Sequence, residues 1–241
     1  MEKIRLDKFI SNQLIVSRSD VRTAVKRGKA YVNGKCEWDF SRIIDAENDQ
    51  VEFMHQKIVY KKYLYIMMNK PAGVLSAASD KSRQTVIDLV PEEIRRPGLA
   101  PVGRLDKDTT GLLLITDDGE FAHNCISPNK HVEKKYIATL DGPVTAEMTE
   151  IFKKGVTLAD GEECKPALLI PLDGNKAEII IREGKYHQIK RMFGTVGLGV
   201  VALHRSSIGA LTLPDDLETG KCVELHENQR EKALFVASCT F

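Results

Sequence analysis

A polar loop that runs straight into a continuous apolar segment constrains this chain more than any other feature. Residues 103–110, Gly-Arg-Leu-Asp-Lys-Asp-Thr-Thr, precede Gly111 and then Leu112, Leu113, Leu114 and Ile115. A short apolar run bounded by turn signals is the pattern of a strand buried on both faces. Asp117-Asp118-Gly119 then reads as the turn that closes it. A guanidinium and a carboxylate, Arg104 and Asp106, are thereby placed on a loop seated on rigid scaffold, where function concentrates. Two readings stand open: a reactive pair, or a solvated loop in which Arg and Asp neutralise each other. Residue types alone favour the second.

The rest of the chain reads as α+β. Apolar runs and turn residues place strands at 63–68, 112–115, 135–140, 167–171, 177–182, 208–213 and 222–225, with helices at 86–90, 120–125, 146–154 and 186–196. Strands outnumber helices and do not alternate with them, which favours a mixed, largely antiparallel sheet flanked by helices over a doubly wound fold. No apolar run approaches the roughly 20 residues that a membrane-spanning helix needs, and Met1-Glu2-Lys3 leads into no signal-peptide core. Five cysteines (Cys36, Cys125, Cys164, Cys222 and Cys239) lie far apart, and neither they nor the six histidines show metal-ligand spacing. The expectation is a metal-free, reduced, cytoplasmic protein that acts as a monomer.

Net charge is only +1, but it is unevenly spread. Residues 1–35 carry nine Lys or Arg against Glu2, Asp7 and Asp20, an excess of +6, whereas residues 36–56 carry six acidic residues against Arg42 alone. A phosphate backbone responds to local potential, so a segregated patch matters more than the total. Within the basic segment Leu6, Phe9, Ile10 and Leu14 recur at helical spacing. Ser17 with Asp20 reads as the start of a second helix, which buries Val21, Ala24 and Val25 and ends at Gly28. Asn33-Gly34 reads as a type I′ hairpin turn. Leu6-Asp7-Lys8-Phe9, Ser17-Arg18 and Val32-Asn33-Gly34 together resemble the small S-four RNA-binding domain. That resemblance implies RNA contacts from Arg5, Lys8, Arg18, Arg22, Lys26, Arg27 and Lys29. A linker is expected at residues 55–62, giving an RNA-binding domain over 1–60 and a second domain over 61–241.

The second domain carries its own resemblance. Gly103-Arg104-Leu105-Asp106 with Thr109-Thr110-Gly111-Leu112, preceded by Lys70-Pro71-Ala72-Gly73-Val74 and followed by Gly184-Lys185-Tyr186-His187-Gln188-Ile189-Lys190-Arg191-Met192, is similar to three blocks of the pseudouridine synthases, in the same order. The likeness implies an isomerase that breaks the bond between ribose C1′ and uracil N1, turns the base and rejoins it through C5. Nothing enters or leaves in that reaction, so it implies no cofactor.

Residue by residue, the resemblance makes Asp106 catalytic, attacking C1′ or taking a sugar proton. Lys190 becomes the cation that offsets its burial, with Arg191 as the alternative. Tyr136 becomes the ring that stacks on the target base, and Leu203 its apolar contact. Arg104 takes a part in opening the RNA helix, since C1′ is out of reach in a stacked base. Lys70, Arg191 and Arg205 are expected phosphate or structural residues, and His187 and Gln188 position their helix. Ser127-Pro128 with Glu133-Lys134-x-Tyr136 is most similar to the branch that modifies the ribosomal small subunit. That makes ribosomal RNA, or an assembling ribosomal subunit, the expected partner. A large-subunit enzyme, or a non-catalytic ribosome-binding factor of the same fold, are the alternatives.

Overall fold

The computed structural model describes residues 2–237, which divide into two compact units. The first comprises the chain up to Leu64 together with Pro91–Leu99, and the second comprises Tyr65–Val90 and the chain from Ala100 onward.

In the first unit β1 (Lys3–Arg5) leads into α1 (Leu6–Gln13) and α2 (Arg18–Val25). The hydroxyl of Ser17 accepts a hydrogen bond from the backbone N–H of Asp20, satisfying one of the free donors at the start of α2. β2 (Ala30–Val32) and β3 (Lys35–Glu37) form a hairpin across Asn33 (φ 51°) and Gly34 (φ 76°), the two positive values a type I′ turn requires. β4 (Ile43–Asp45) pairs antiparallel with β1. β5 (Val51–Phe53) and β6 (Gln56–Ile58) complete a four-stranded sheet in the order β3-β2-β5-β6. Leu6, Phe9 and Ile10 from α1 and Val21 and Val25 from α2 pack against Val32, Ile44, Val51 and Phe53 to make one apolar core.

β6 corrects the expected linker at 55–62. Met54 (φ 49°) and His55 (φ 68°) form the tight turn between β5 and β6. Neither residue type signals such a turn, and a basic stretch after an acidic one resembles an exposed connection.

The second unit is built on nine strands. They are β7 (Tyr65–Lys70), β8 (Ala100–Pro101), β9 (Thr110–Thr116), β10 (Lys134–Leu140), β11 (Leu168–Pro171), β12 (Lys176–Ile181), β13 (Val200–Ile208), β14 (Leu211–Thr212) and β15 (Cys222–Glu224). The sheet runs β11-β12-β10-β13-β9-β7-β15, with β14 on β13 and β8 on β9. Every pairing is antiparallel except that of β9 with β13. The helices are α3 (Gly119–Ile126), α4 (Ala146–Lys154), α5 (Gln188–Thr195) and α6 (Glu227–Ala233). Architecture and sheet type are those the sequence predicts, an α+β fold.

Leu112 to Ile115 are fully enclosed in β9, as a strand buried on both faces must be. The turn at 117–119 is also a helix start, since the Asp118 carboxylate accepts from the N–H groups of Glu120 and Phe121. Gly111 sits where β9 meets β13. A Cβ there would lie 2.3 Å from the carbonyl oxygen of Arg205, and its φ of +101° suits glycine alone.

Two expected elements differ from the structure. Residues 86–90 form turns and no helix. The strand expected at 208–213 is the hairpin joining the end of β13 to β14, and β13 itself starts at Val200. β13 escapes the alternation test because Arg205 and Ser207 are buried polar residues on its inward face. Among the described residues no helix is long and apolar enough to cross a membrane. Cys36, Cys125, Cys164 and Cys222 are free thiols, and Cys239 lies outside the described residues.

Candidate active site

The loop between β8 and β9 carries Arg104, Asp106 and Asp108, and three braces hold it. Lys70 is completely buried, and its ammonium donates to the carbonyls of Pro71 (2.9 Å), Lys107 (3.2 Å) and Thr109 (3.0 Å). Burial pulls its pKa down to about 8, against the opposing pull of Asp108 and Asp106. The Ser76 hydroxyl accepts from the Leu105 N–H at 3.1 Å and donates to the Leu105 carbonyl at 2.9 Å. Gly73 N–H donates to the Lys107 carbonyl at 2.8 Å. With Leu105 anchored inward, Asp106 faces a cleft of about 1010 Å³.

α5 closes the cleft from the other side. Gln188 fixes its first turn, accepting from Lys185 N–H and donating to the Glu183 carboxylate. His187, just before the helix, is left-handed (φ 47°, ψ 33°), a strained conformation of the kind that clusters at functional sites. Its Nε2 lies 3.6 Å from Asp106 Oδ1, and its ring stacks on Tyr186 at 3.9 Å. Lys190 Nζ lies 3.6 Å from Asp106 Oδ2 but only 2.6 and 2.7 Å from the oxygens of Asp108. That hydrogen bond holds the Asp108 carboxyl below the usual carboxylate range, outweighing its partial desolvation.

The sheet supplies the floor. Tyr136 on β10 stands opposite Arg205 on β13 through a register shift between Lys135 and Tyr136, which re-aims the side chain at the cleft. Arg205 is buried. Its Nε donates to the Leu112 carbonyl at 2.7 Å and its Nη1 to the Tyr136 hydroxyl at 3.4 Å, while Nη2 has no hydrogen-bond partner among the described residues. Leu203 and Lys134 also line the cleft. Burial first, then Arg205, brings Lys134 down to about 8, and its ammonium donates to the Val132 carbonyl.

Asp106, Tyr136, Lys190, Arg104 and Leu203 thus share one cleft, in which Arg104 is exposed and has no ion-pair partner among the described residues. Arg191 is not beside Asp106. Its guanidinium is bound by Asp160 and Glu162, which corrects its alternative role as the aspartate's cation. Lys70, expected among RNA contacts, spends its donors on carbonyls inside the fold and is a structural brace. Arg205 likewise offers no exposed charge to a phosphate. Sequence reading missed Asp108, since nothing in Asp-Lys-Asp tells which carboxylate a distant lysine will choose.

In the first unit, Arg5, Arg18 and Arg22 converge on the fully buried Asp7, at 3.1, 3.0 and 2.8 Å. Burial pushes the Asp7 carboxyl up, but hydrogen bonds from Arg22, Arg5 and Arg18 prevail and hold it at about 2. Lys8, Lys26, Arg27 and Lys29 are exposed.

Comparison with known proteins decides the family. The sequence pattern described as RNA pseudouridylate synthase matches residues 64–195, more than half of the chain. The chain belongs to the RNA pseudouridylate synthase family. An S4 domain pattern matches residues 4–51. The chain is 41% identical over 231 residues to the uncharacterised RNA pseudouridine synthase YtzG of Bacillus subtilis, covering 94% of this chain and 96% of that protein. It is 38% identical over 227 residues to ribosomal small subunit pseudouridine synthase A of Escherichia coli, covering 94% and 98%. A crystal structure of a pseudouridylate synthase matches with a TM-score of 0.67 at 36% identity, over 95% of this chain and 99% of that one. The chain is therefore an RNA pseudouridine synthase, an isomerase, with an N-terminal S4 domain.

Proposed function

We propose that this pseudouridine synthase isomerises one uridine of small-subunit ribosomal RNA in the cytoplasm, with Asp106 as the catalytic carboxylate. The observation that carries the reading is the position of Asp106: on a braced loop, in the cleft of the family-matched unit, with a lysine at 3.6 Å. The Asp106 carboxylate attacks C1′ of the flipped nucleotide, or removes its C2′ proton, as the C1′–N1 bond breaks. Tyr136 forms the surface on which the freed uracil turns, backed by Arg205, and Leu203 holds its apolar edge. Once C5 has joined C1′, the C5 proton passes to the Tyr136 phenolic oxygen, which releases its own proton to solvent. Arg104, exposed and unpaired, fills the RNA stack or holds a phosphate when the nucleotide flips. The small-subunit target rests on the likeness to the E. coli enzyme over nearly the whole of both chains.

Asp106→Asn keeps the size of the side chain and removes its charge. The expected outcome is intact RNA binding with turnover abolished, measured by tritium release from C5-labelled RNA. Residual turnover above a few per cent of wild type would place the catalytic group elsewhere. Mapping pseudouridine in both ribosomal RNAs of a strain lacking the protein tests the target. Loss of a small-subunit position supports the assignment, and loss of a large-subunit position replaces it.

A further inference from the structure

Trp38 is the one tryptophan of the chain, and it is 60% exposed. It lies in the loop between β3 and β4, which packs along the C-terminal half of α2. Two residues on, the Phe40 ring has Arg22 and Lys26 each 5.3 Å from its centroid and Arg5 at 5.9 Å. The indole itself rests on Gly28. A Cβ at Gly28 would lie 2.7, 3.1 and 3.2 Å from Cη2, Cζ3 and Cζ2 of Trp38, so only a bare Cα admits the ring. The loop is also fixed from within. One Glu37 oxygen accepts from the N–H groups of Trp38 and Asp39, the other pairs with Arg42 at 2.6 Å, and Asp39 accepts from Ser41. The ring is therefore held in place, at the margin of the basic patch, without being part of the core.

We infer that Trp38 is a stacking platform for an unpaired nucleotide of the RNA, whose neighbouring phosphate lies on Lys26. The inference rests on the reading of the first unit as RNA-binding and adds the mode of contact. Charge selects the occupant: an exposed apolar ring two residues from a ring faced by Arg5, Arg22 and Lys26, with Glu37 paired to Arg42, matches a polyanion with aromatic bases better than it matches an apolar protein face. An indole is a sequence-tolerant platform because every base has a π face. Preorganisation of the loop means that little side-chain freedom is lost on binding. The platform discriminates single-stranded from paired RNA, since a base inside a duplex offers no free face.

As the only tryptophan, Trp38 reports on itself. The probes are oligouridylate of about ten nucleotides and a fully paired RNA hairpin of equal length. In the full chain, oligouridylate is expected to quench the tryptophan emission and shield it from acrylamide, whereas the hairpin leaves it unchanged. By filter retention, Trp38→Ala should bind oligouridylate about 5- to 100-fold more weakly, with an unchanged salt slope, and Trp38→Phe should recover most of the loss. Circular dichroism of both variants reports folding. Oligouridylate that binds without altering the emission, together with wild-type affinity in Trp38→Ala, overturns the platform while leaving RNA binding standing. Retention of neither RNA, or retention indifferent to Lys26→Gln with Lys29→Gln, overturns the RNA-binding reading of this unit and the platform with it.

Discussion

Lys190 stands between two carboxylates, and distance decides which it serves in the free enzyme. At 2.6 and 2.7 Å it makes charge-assisted hydrogen bonds to Asp108, while Asp106 at 3.6 Å is a Coulombic neighbour. Asp108 therefore fixes the ammonium at a set distance from the Asp106 loop and leaves the oxygens of Asp106 without a hydrogen bond from it. Lys190→Met removes the cation from both carboxylates, and the single-turnover rate at saturating RNA should fall about tenfold or more, a barrier increase of ~1.4 kcal/mol or above. Asp108→Asn keeps the lysine and lets it move to Asp106, so the rate should stay within about threefold of wild type. An equal loss in both variants would show that Asp108 is needed in its own right. The motif residues Asp106, Tyr136 and Lys190 were legible because their spacing matches a family pattern. The use of Lys70 was not, since a Lys-Pro pair carries no sign of the carbonyls that fold over it.

Among the elements, the join of α1 and α2 depends on one buried charge. Asp7 is held at about 2 in the fold against an ordinary 3.8, its burial more than offset by hydrogen bonds from Arg22, Arg5 and Arg18. A depressed carboxylate contributes stability that is fully present above its unfolded pKa and is lost as pH falls through the folded one. The first unit should therefore lose stability between about pH 4 and pH 2, and Trp38 emission, which lies in that unit, follows its unfolding. In Asp7→Asn this part of the acid dependence should vanish and stability at neutral pH fall by about 2 kcal/mol; an unaltered acid transition would mean that other carboxylates govern it. Gly111 performs the matching task in the sheet. Gly111→Ala drives a methyl into the Arg205 backbone and should cost about 3 kcal/mol or more, with loss of activity, by thermal melting and turnover. The elements legible in sequence were those with a simple apolar pattern: the periodic helices of the first unit and α4, and the unbroken apolar run of β9. β13 and β6 were hidden, one by an inward Arg and Ser, the other by a Met-His turn.

Across the whole molecule, a net charge of +1 conceals a basic first unit, so affinity for RNA should depend on salt far more steeply than the total suggests. Deletion is a poor way to test this. Pro91–Leu99 belongs with the first unit, where buried Arg96 donates to the carbonyls of Lys61 at 2.6 Å and Lys62 at 3.2 Å. Cutting the chain near residue 60 strands that segment, so any loss of binding would mix charge with damage. Neutralising exposed cations avoids the difficulty. Each phosphate contact contributes roughly 0.7 to the slope of log affinity against log salt for a single strand and about 0.9 for a duplex. Lys26→Gln with Lys29→Gln, both exposed, should then flatten the slope by about 1.4 to 1.8. Arg191→Gln supplies the contrast, because Asp160 and Glu162 already balance its charge and its loss should leave the slope unchanged. The measurement is retention of the same RNA over a salt series for the three proteins. A slope that flattens only in the Lys26 and Lys29 variant assigns the phosphate contacts to the first unit. A slope that flattens only in Arg191→Gln moves them to the catalytic unit, with α5 as the RNA-facing element.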